Sequence, residues 1–117
     1  MPMKTVTGVS ADGKRKMRVP VVAVNGAFCV AKGVYLQPGV RKVAPYWVVY
    51  HSRSGCSMGE GFRAKKDALK MLERIAKVPG NWDQDPDALR QDAKLTQDFS
   101  NAWMAGLCDL GIYKRIG

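Results

Sequence analysis

Apolar and polar positions alternate through much of the first half of the chain, and apolar residues recur at three- and four-residue steps through the second. The first period is that of strands, whose successive side chains point to opposite faces; the second is that of helices. Three strand segments open the chain, near Lys4 to Ser10, Arg15 to Val24 and Ala27 to Leu36. Asp12-Gly13 and Asn25-Gly26 stand between them. Both are hairpin signals, because a type I′ turn needs positive φ at its two central positions. In the second segment Arg15, Met17, Val19, Val21 and Ala23 share one face, and Lys16, Arg18, Pro20, Val22 and Val24 share the other. Pro20 cannot donate a ladder hydrogen bond, so this strand is expected at an edge or with a bulge.

The run Gln37 to Pro45, punctuated by Pro38, Gly39 and Pro45, reads as a loop. It leads into Tyr46-Trp47-Val48-Val49-Tyr50-His51, the strongest strand by aromatic and β-branched content. Ser52-Arg53-Ser54-Gly55 then turns the chain into a further strand around Cys56 to Phe62, with Arg53 at the tip. From Lys65 to Val78 the period is helical: Ala68, Leu69, Leu72, Ile75 and Ala76 form one stripe, while Lys66, Lys70, Glu73, Arg74 and Lys77 face away. Pro79-Gly80 ends it. Asp85-Pro86 is a helix start, with Asp as N-cap and Pro at the first helical position. Leu89, Ala93, Phe99, Trp103, Leu107 and Leu110 follow, in one helix from Pro86 to Leu110 or in two that break near Thr96. The expected fold is α+β: an antiparallel sheet of hairpins, about five strands, packed against two or three C-terminal helices. It forms a single domain over residues 1–117, with a basic β-rich part (1–63) and a helical part (64–117).

Charge sharpens this division. The 117 residues carry a net charge of +9. Residues 1–66 hold twelve Lys and Arg against two acids, a surplus of ten, whereas residues 67–117 hold seven against eight. A basic face concentrates polyanions and speeds encounter with them, so nucleic acid is the leading partner and an acidic protein the alternative. A hydrophobic content of 46% with 25% charged residues is ordinary globular composition. Cys29, Cys56 and Cys108 are odd in number and widely spaced, a pattern of reduced thiols. With no signal-like apolar run and no stretch of about 20 apolar residues, the expected location is cytoplasmic, without membrane insertion.

Catalytic and metal motifs are weak. Gly55-Cys56-Ser57-Met58-Gly59 matches G-x-S-x-G, but it lies in a hairpin instead of a strand-to-helix elbow, and the only histidine, His51, precedes the serine. The same glycines lack the Gly-Lys-Ser or Gly-Lys-Thr of a phosphate-binding loop. Cys29, Cys56, Cys108 and His51 are zinc-ligand types without knuckle spacing. Asp83, Asp85 and Asp87 lack the glycine and distal acid of a calcium loop. No enzyme activity, cofactor or metal is expected.

What remains is an interleave of cations and aromatics: Arg41, Lys42, Tyr46, Trp47, Tyr50, His51, Arg53, Arg63, Lys65 and Lys66, with a second basic group at Lys14, Arg15, Lys16 and Arg18. Cations contact phosphates, Arg reads guanine edges, and aromatic rings stack on exposed bases. Trp47 is equally well read as core.

The order loop, strand, hairpin, strand and helix, with Gly39-Val40-Arg41-Lys42, Tyr46-Trp47 and Gly61-Phe62-Arg63-Ala64-Lys65-Lys66-Asp67-Ala68, resembles three-stranded-sheet-plus-helix DNA-binding domains. These include plant ethylene-response factors and the arm-binding domains of phage integrases. The resemblance covers residues 39–76 and implies a sheet laid in the major groove, with Arg41 and Trp47 on matching positions. The Arg and Trp of that family's last strand are replaced by Cys56, Ser57, Met58 and Gly59. The expectation is a non-enzymatic nucleic-acid-binding accessory protein of phage or mobile-element type, with DNA favoured over RNA. The alternative is a basic modulator or inhibitor that docks on an acidic host protein. The C-terminal helix is free to pack on the sheet or to form a homodimer.

Overall fold

A computed structural model of the chain describes residues 4–9, 14–37, 39–59 and 61–111. Four strands, β1 (Thr5–Val9), β2 (Lys16–Asn25), β3 (Phe28–Gln37) and β4 (Val40–His51), precede three helices, α1 (Lys65–Ile75), α2 (Pro86–Gln91) and α3 (Ala93–Asp109). The strands form one antiparallel sheet in the order β1-β2-β3-β4. The α+β class is as the hydrophobic periods indicate. The turn at Asp12-Gly13 lies outside the described residues.

Four strands stand where about five were expected. Among its described residues, the stretch from Cys56 to Phe62 meets β4 at two bridges, Ser57 opposite Tyr50 and Phe62 opposite Trp47. Gly55 (φ 73°) and Gly59 (φ 91°) take left-handed backbone there, which a continuous strand does not tolerate. The expected loop at 37–45 is mostly strand instead. Gln37 pairs with Val40 across a tight turn containing Gly39 (φ 76°), and Pro45 falls where the ladder to β3 is already interrupted, between Lys32 and Val34. The turn after β2 also differs by one residue. Asn25 pairs with Phe28, so Gly26 and Ala27 are the central residues, and only Gly26 has positive φ. That is the pattern of a type II′ turn.

Pro20 is explained by a division of labour along β2. Its first half, Lys16 to Pro20, pairs with β1, and its second half pairs with β3 from Val21 onward, with a register shift between Val21 and Ala23. Pro20 itself pairs with Thr5 of β1 and has no register partner on β3, so it stands where β2 is laddered on one side, and the irregularity follows it.

The two faces of β3 and β4 serve separate cores, as strict alternation allows. Phe28, Val30 and Val49 join Phe62, Ala68, Met71, Leu72, Ile75 and Trp103 beneath the helices. Cys29, Ala31, Val48 and Tyr50 join Val6 and Val19 under the β1–β2 hairpin, which folds back over them. Close approach makes this roll possible: a Cβ on Gly8 would lie 3.0 Å from Val34 Cγ2, and one on Gly55 would lie 1.8 Å from the Thr7 backbone oxygen. Burial of each large apolar side chain contributes about 1.5–3 kcal/mol.

The region from Pro86 to Asp109 holds two helices, and the break falls at Asp92, four residues before Thr96. The Asp92 carboxylate accepts from the Leu95 N–H at 3.1 Å and caps α3. Asp85 precedes α2 but its side chain caps nothing. Its carboxylate turns instead toward Arg53.

Candidate nucleic-acid interface

Lys32, Trp47 and Lys65 meet at one flank of the sheet. Lys32 on β3 is the register partner of Trp47 on β4, and its Nζ sits 4.4 Å from the Trp47 ring centroid. Phe62 bonds Trp47 in both directions, each N···O distance being 2.7 Å, and so delivers the start of α1 to the same place. The Nζ of Lys65 then lies 5.4 Å from the same ring. An ammonium over an indole face is favourable by about 0.5–1 kcal/mol when exposed. Trp47 itself is half-buried against the helix-side core, so it is at once core and seat for two cations. Arg63 and Lys66, both exposed, flank the cluster in sequence.

Ion pairing divides the cations into two groups. Arg53 pairs with Asp83 and Asp85, Arg74 with Asp109, Arg90 with Asp87 and Lys94 with Asp98. Lys32, Lys65, Lys66 and Arg63 pair with no carboxylate among the described residues. Lys16, Arg18, Lys42, Lys70 and Lys77 are likewise without a carboxylate among the described residues, and the group around Trp47 and the first turn of α1 is the one gathered on an aromatic ring. No side chain caps that turn, since Ala64 is the N-cap residue.

Other residues of the expected interface are placed elsewhere. Lys16 and Arg18 are exposed on the outward face of the β1–β2 hairpin, together with Lys14 nearby, while Arg15 is half-buried. Lys42 is exposed near the β3–β4 turn, with its Nζ 5.5 Å from the Tyr35 ring. The Arg41 side chain lies outside the described part of the structure. Two expectations need correction. Tyr50 is 2% exposed, and its hydroxyl donates to the Lys32 backbone oxygen at 2.9 Å, so it has no surface to offer a ligand. Arg53 does sit at a turn, but two carboxylates already occupy its guanidinium, at 3.0 and 3.4 Å.

His51 is 1% exposed and structural in its bonding: Nδ1 is 2.8 Å from Ser54 Oγ and Nε2 is 2.7 Å from the Trp82 backbone oxygen. Ser57 of the G-x-S-x-G stretch is exposed and lies between two loop positions, without a following helix. Both residues border an apolar cleft of about 280 Å³ that also involves Met58, Trp82, Leu95 and Phe99. Among the described residues no three His, Cys, Asp or Glu side chains converge as a metal site. Burial pushes the Cys29 thiol upward against the opposing effect of a hydrogen bond with Ser52. No helix of the described residues is long and apolar enough to cross a membrane.

Lys32, Lys70 and Lys77 were missing from the expected interface. Lys70 is exposed with Lys66 along α1 and Lys77 is exposed two residues past its end, and their helical spacing was visible in the chain. Lys32 is the single cation of an otherwise uncharged strand, Phe28–Gln37, which is a weak signal on its own. No protein-family model, curated protein or solved structure matches the chain.

Proposed function

We propose that this chain is a non-enzymatic nucleic-acid-binding protein that engages phosphates through Lys32, Lys65 and their basic neighbours Arg63 and Lys66. The observation that carries the reading is the seating of two ammonium groups on Trp47, 4.4 and 5.4 Å from its centroid, with no carboxylate partner among the described residues. Cations held over the Trp47 ring without a carboxylate are available to replace the counterions of a polyanion. Release of those counterions drives association and makes it salt-dependent.

The test is a salt series of binding to duplex DNA, single-stranded DNA and RNA, comparing the native chain with a Lys32→Gln, Lys65→Gln double variant. Binding at low salt is expected, with log K falling linearly with log salt and the slope shrinking by about 1–2 in the double variant. Absence of binding to all three at low salt would overturn the reading. In that event, retention of one acidic protein from nuclease-treated lysate would favour a protein-docking role for the same surface.

A further inference from the structure

The geometry points to recognition of the phosphate backbone alone, blind to the identity and even the presence of bases; this rests on the nucleic-acid reading above and specifies how that surface would work. The basic half of the chain contains six aromatic rings, at Phe28, Tyr35, Tyr46, Trp47, Tyr50 and Phe62. Stacking on unpaired bases needs a ring with an accessible face. Phe28, Tyr50 and Phe62 are buried, at 1%, 2% and 3% exposure.

The other three rings already hold partners. Tyr46 is half-buried between two glycines, and a Cβ on Gly33 or Gly61 would come within 2.3 or 2.2 Å of its ring carbons. Tyr35 meets Tyr46 edge-on at 6.0 Å and carries the Lys42 ammonium at 5.5 Å. Trp47 packs on the helix-side core and carries Lys32 and Lys65. Each partly exposed ring thus supports either a neighbouring ring or a cation. Rings in this arrangement hold ammonium groups in place, and ammonium groups are point charges suited to phosphate.

The adjoining surface continues the same chemistry. Lys66 and Lys70 lie exposed along α1 and Lys77 lies exposed just beyond its end, with Glu73 as the one exposed acid among them. A row of lysines on a helix face can follow a charged backbone. Trp47 is therefore a positioning residue: its ring fixes where two cations stand.

The discriminating probe is a single-stranded oligonucleotide of abasic nucleotides throughout, compared at several salt concentrations with base-bearing strands of the same length. Backbone recognition predicts affinities equal within about threefold and equal salt slopes. A base-bearing strand that binds while the abasic strand binds more than about fivefold more weakly would overturn the inference, since one stacked base is worth at least that factor. The nucleic-acid reading would survive that result; failure of every strand to bind would instead remove the reading beneath it. Trp47→Leu supplies the second measurement. It should weaken abasic and base-bearing strands by the same factor, through loss of the lysine seat, with far-ultraviolet circular dichroism confirming the fold. A loss confined to base-bearing strands would show that the ring stacks on bases.

Discussion

The Nε2 of His51 stands 2.7 Å from the backbone oxygen of Trp82, a bond that ties the end of β4 to the linker between α1 and α2. A carbonyl only accepts, so this nitrogen carries a proton, and in the neutral ring Nδ1 accepts from the Ser54 hydroxyl at 2.8 Å. The Ser54 oxygen accepts in turn from the Cys56 N–H at 3.2 Å. Trp82 is held further by Phe28, whose ring centroid is 4.8 Å away.

His51→Ala should therefore destabilise the fold by about 2–4 kcal/mol, combining a buried cavity with an unsatisfied carbonyl. The measurement is the shift in urea midpoint at constant m-value. At concentrations where the variant is folded, its affinity for nucleic acid should be unchanged, because His51 faces away from solvent.

Tyr46 gives a second prediction. Its ring occupies space that exists only because residues 33 and 61 are glycine. Gly61→Ala should cost about 1–3 kcal/mol through overpacking. Adding Tyr46→Ala should cost less in that background than in the native chain, and a double-mutant cycle would read the difference. Strict additivity would show that the ring moves aside freely.

Most strands and the first helix were legible because their periods are local. What escaped depended on partners distant in sequence or on interruptions of register. A hairpin continued without irregularity from the Gln37–Val40 pair would set Lys32 opposite Pro45. The shift between Lys32 and Val34 moves the ladder by two residues and places Lys32 opposite Trp47 instead. The central cation of the candidate site was hidden by that slip. Likewise, Asp85-Pro86 looked like a capping signal, and only the folded chain brings Arg53 to that carboxylate. The cap at Asp92 escaped because the apolar stripe from Leu89 to Leu110 runs across it, and the break was expected near Thr96.

Alkaline pH should loosen the core between the β1–β2 hairpin and the sheet. Burial, reinforced by Tyr46 and Cys29 nearby, pushes the Tyr50 phenol up to about 12 from its ordinary 10.0. The folded state therefore keeps a proton that the unfolded state releases, so stability falls as pH rises from about 10 to about 12. Cys29, also raised from 9.0, acts in the same direction and brings the onset lower. Thermal midpoints measured between pH 8 and 11 should decline, and Tyr50→Phe should flatten the upper part of that decline.

Asp92→Ala should cost about 1 kcal/mol, the usual value of a lost N-cap. The loss should be local to the α2–α3 junction. Faster amide exchange at Leu95, whose N–H donates to the Asp92 carboxylate, would report it. Unaltered exchange there would mean that the backbone alone holds the break.

Arg53 separates charge that is available from charge that is only counted. Its guanidinium bonds Asp83 at 3.0 Å and Asp85 at 3.4 Å, with the three side chains 49%, 89% and 82% exposed. Such exposed pairs contribute at most about 1 kcal/mol to stability. A phosphate that recruited Arg53 would have to displace two carboxylates and then lie beside them. Arg53→Ala should accordingly leave the salt slope of nucleic-acid binding unchanged, while Lys65→Gln, which removes the same formal charge, should lower it by about 1. Parallel salt titrations of the two single variants measure this directly. Equal flattening by both would mean that Arg53 leaves its acids for phosphate, and that ion pairing within the free protein does not determine which cations bind.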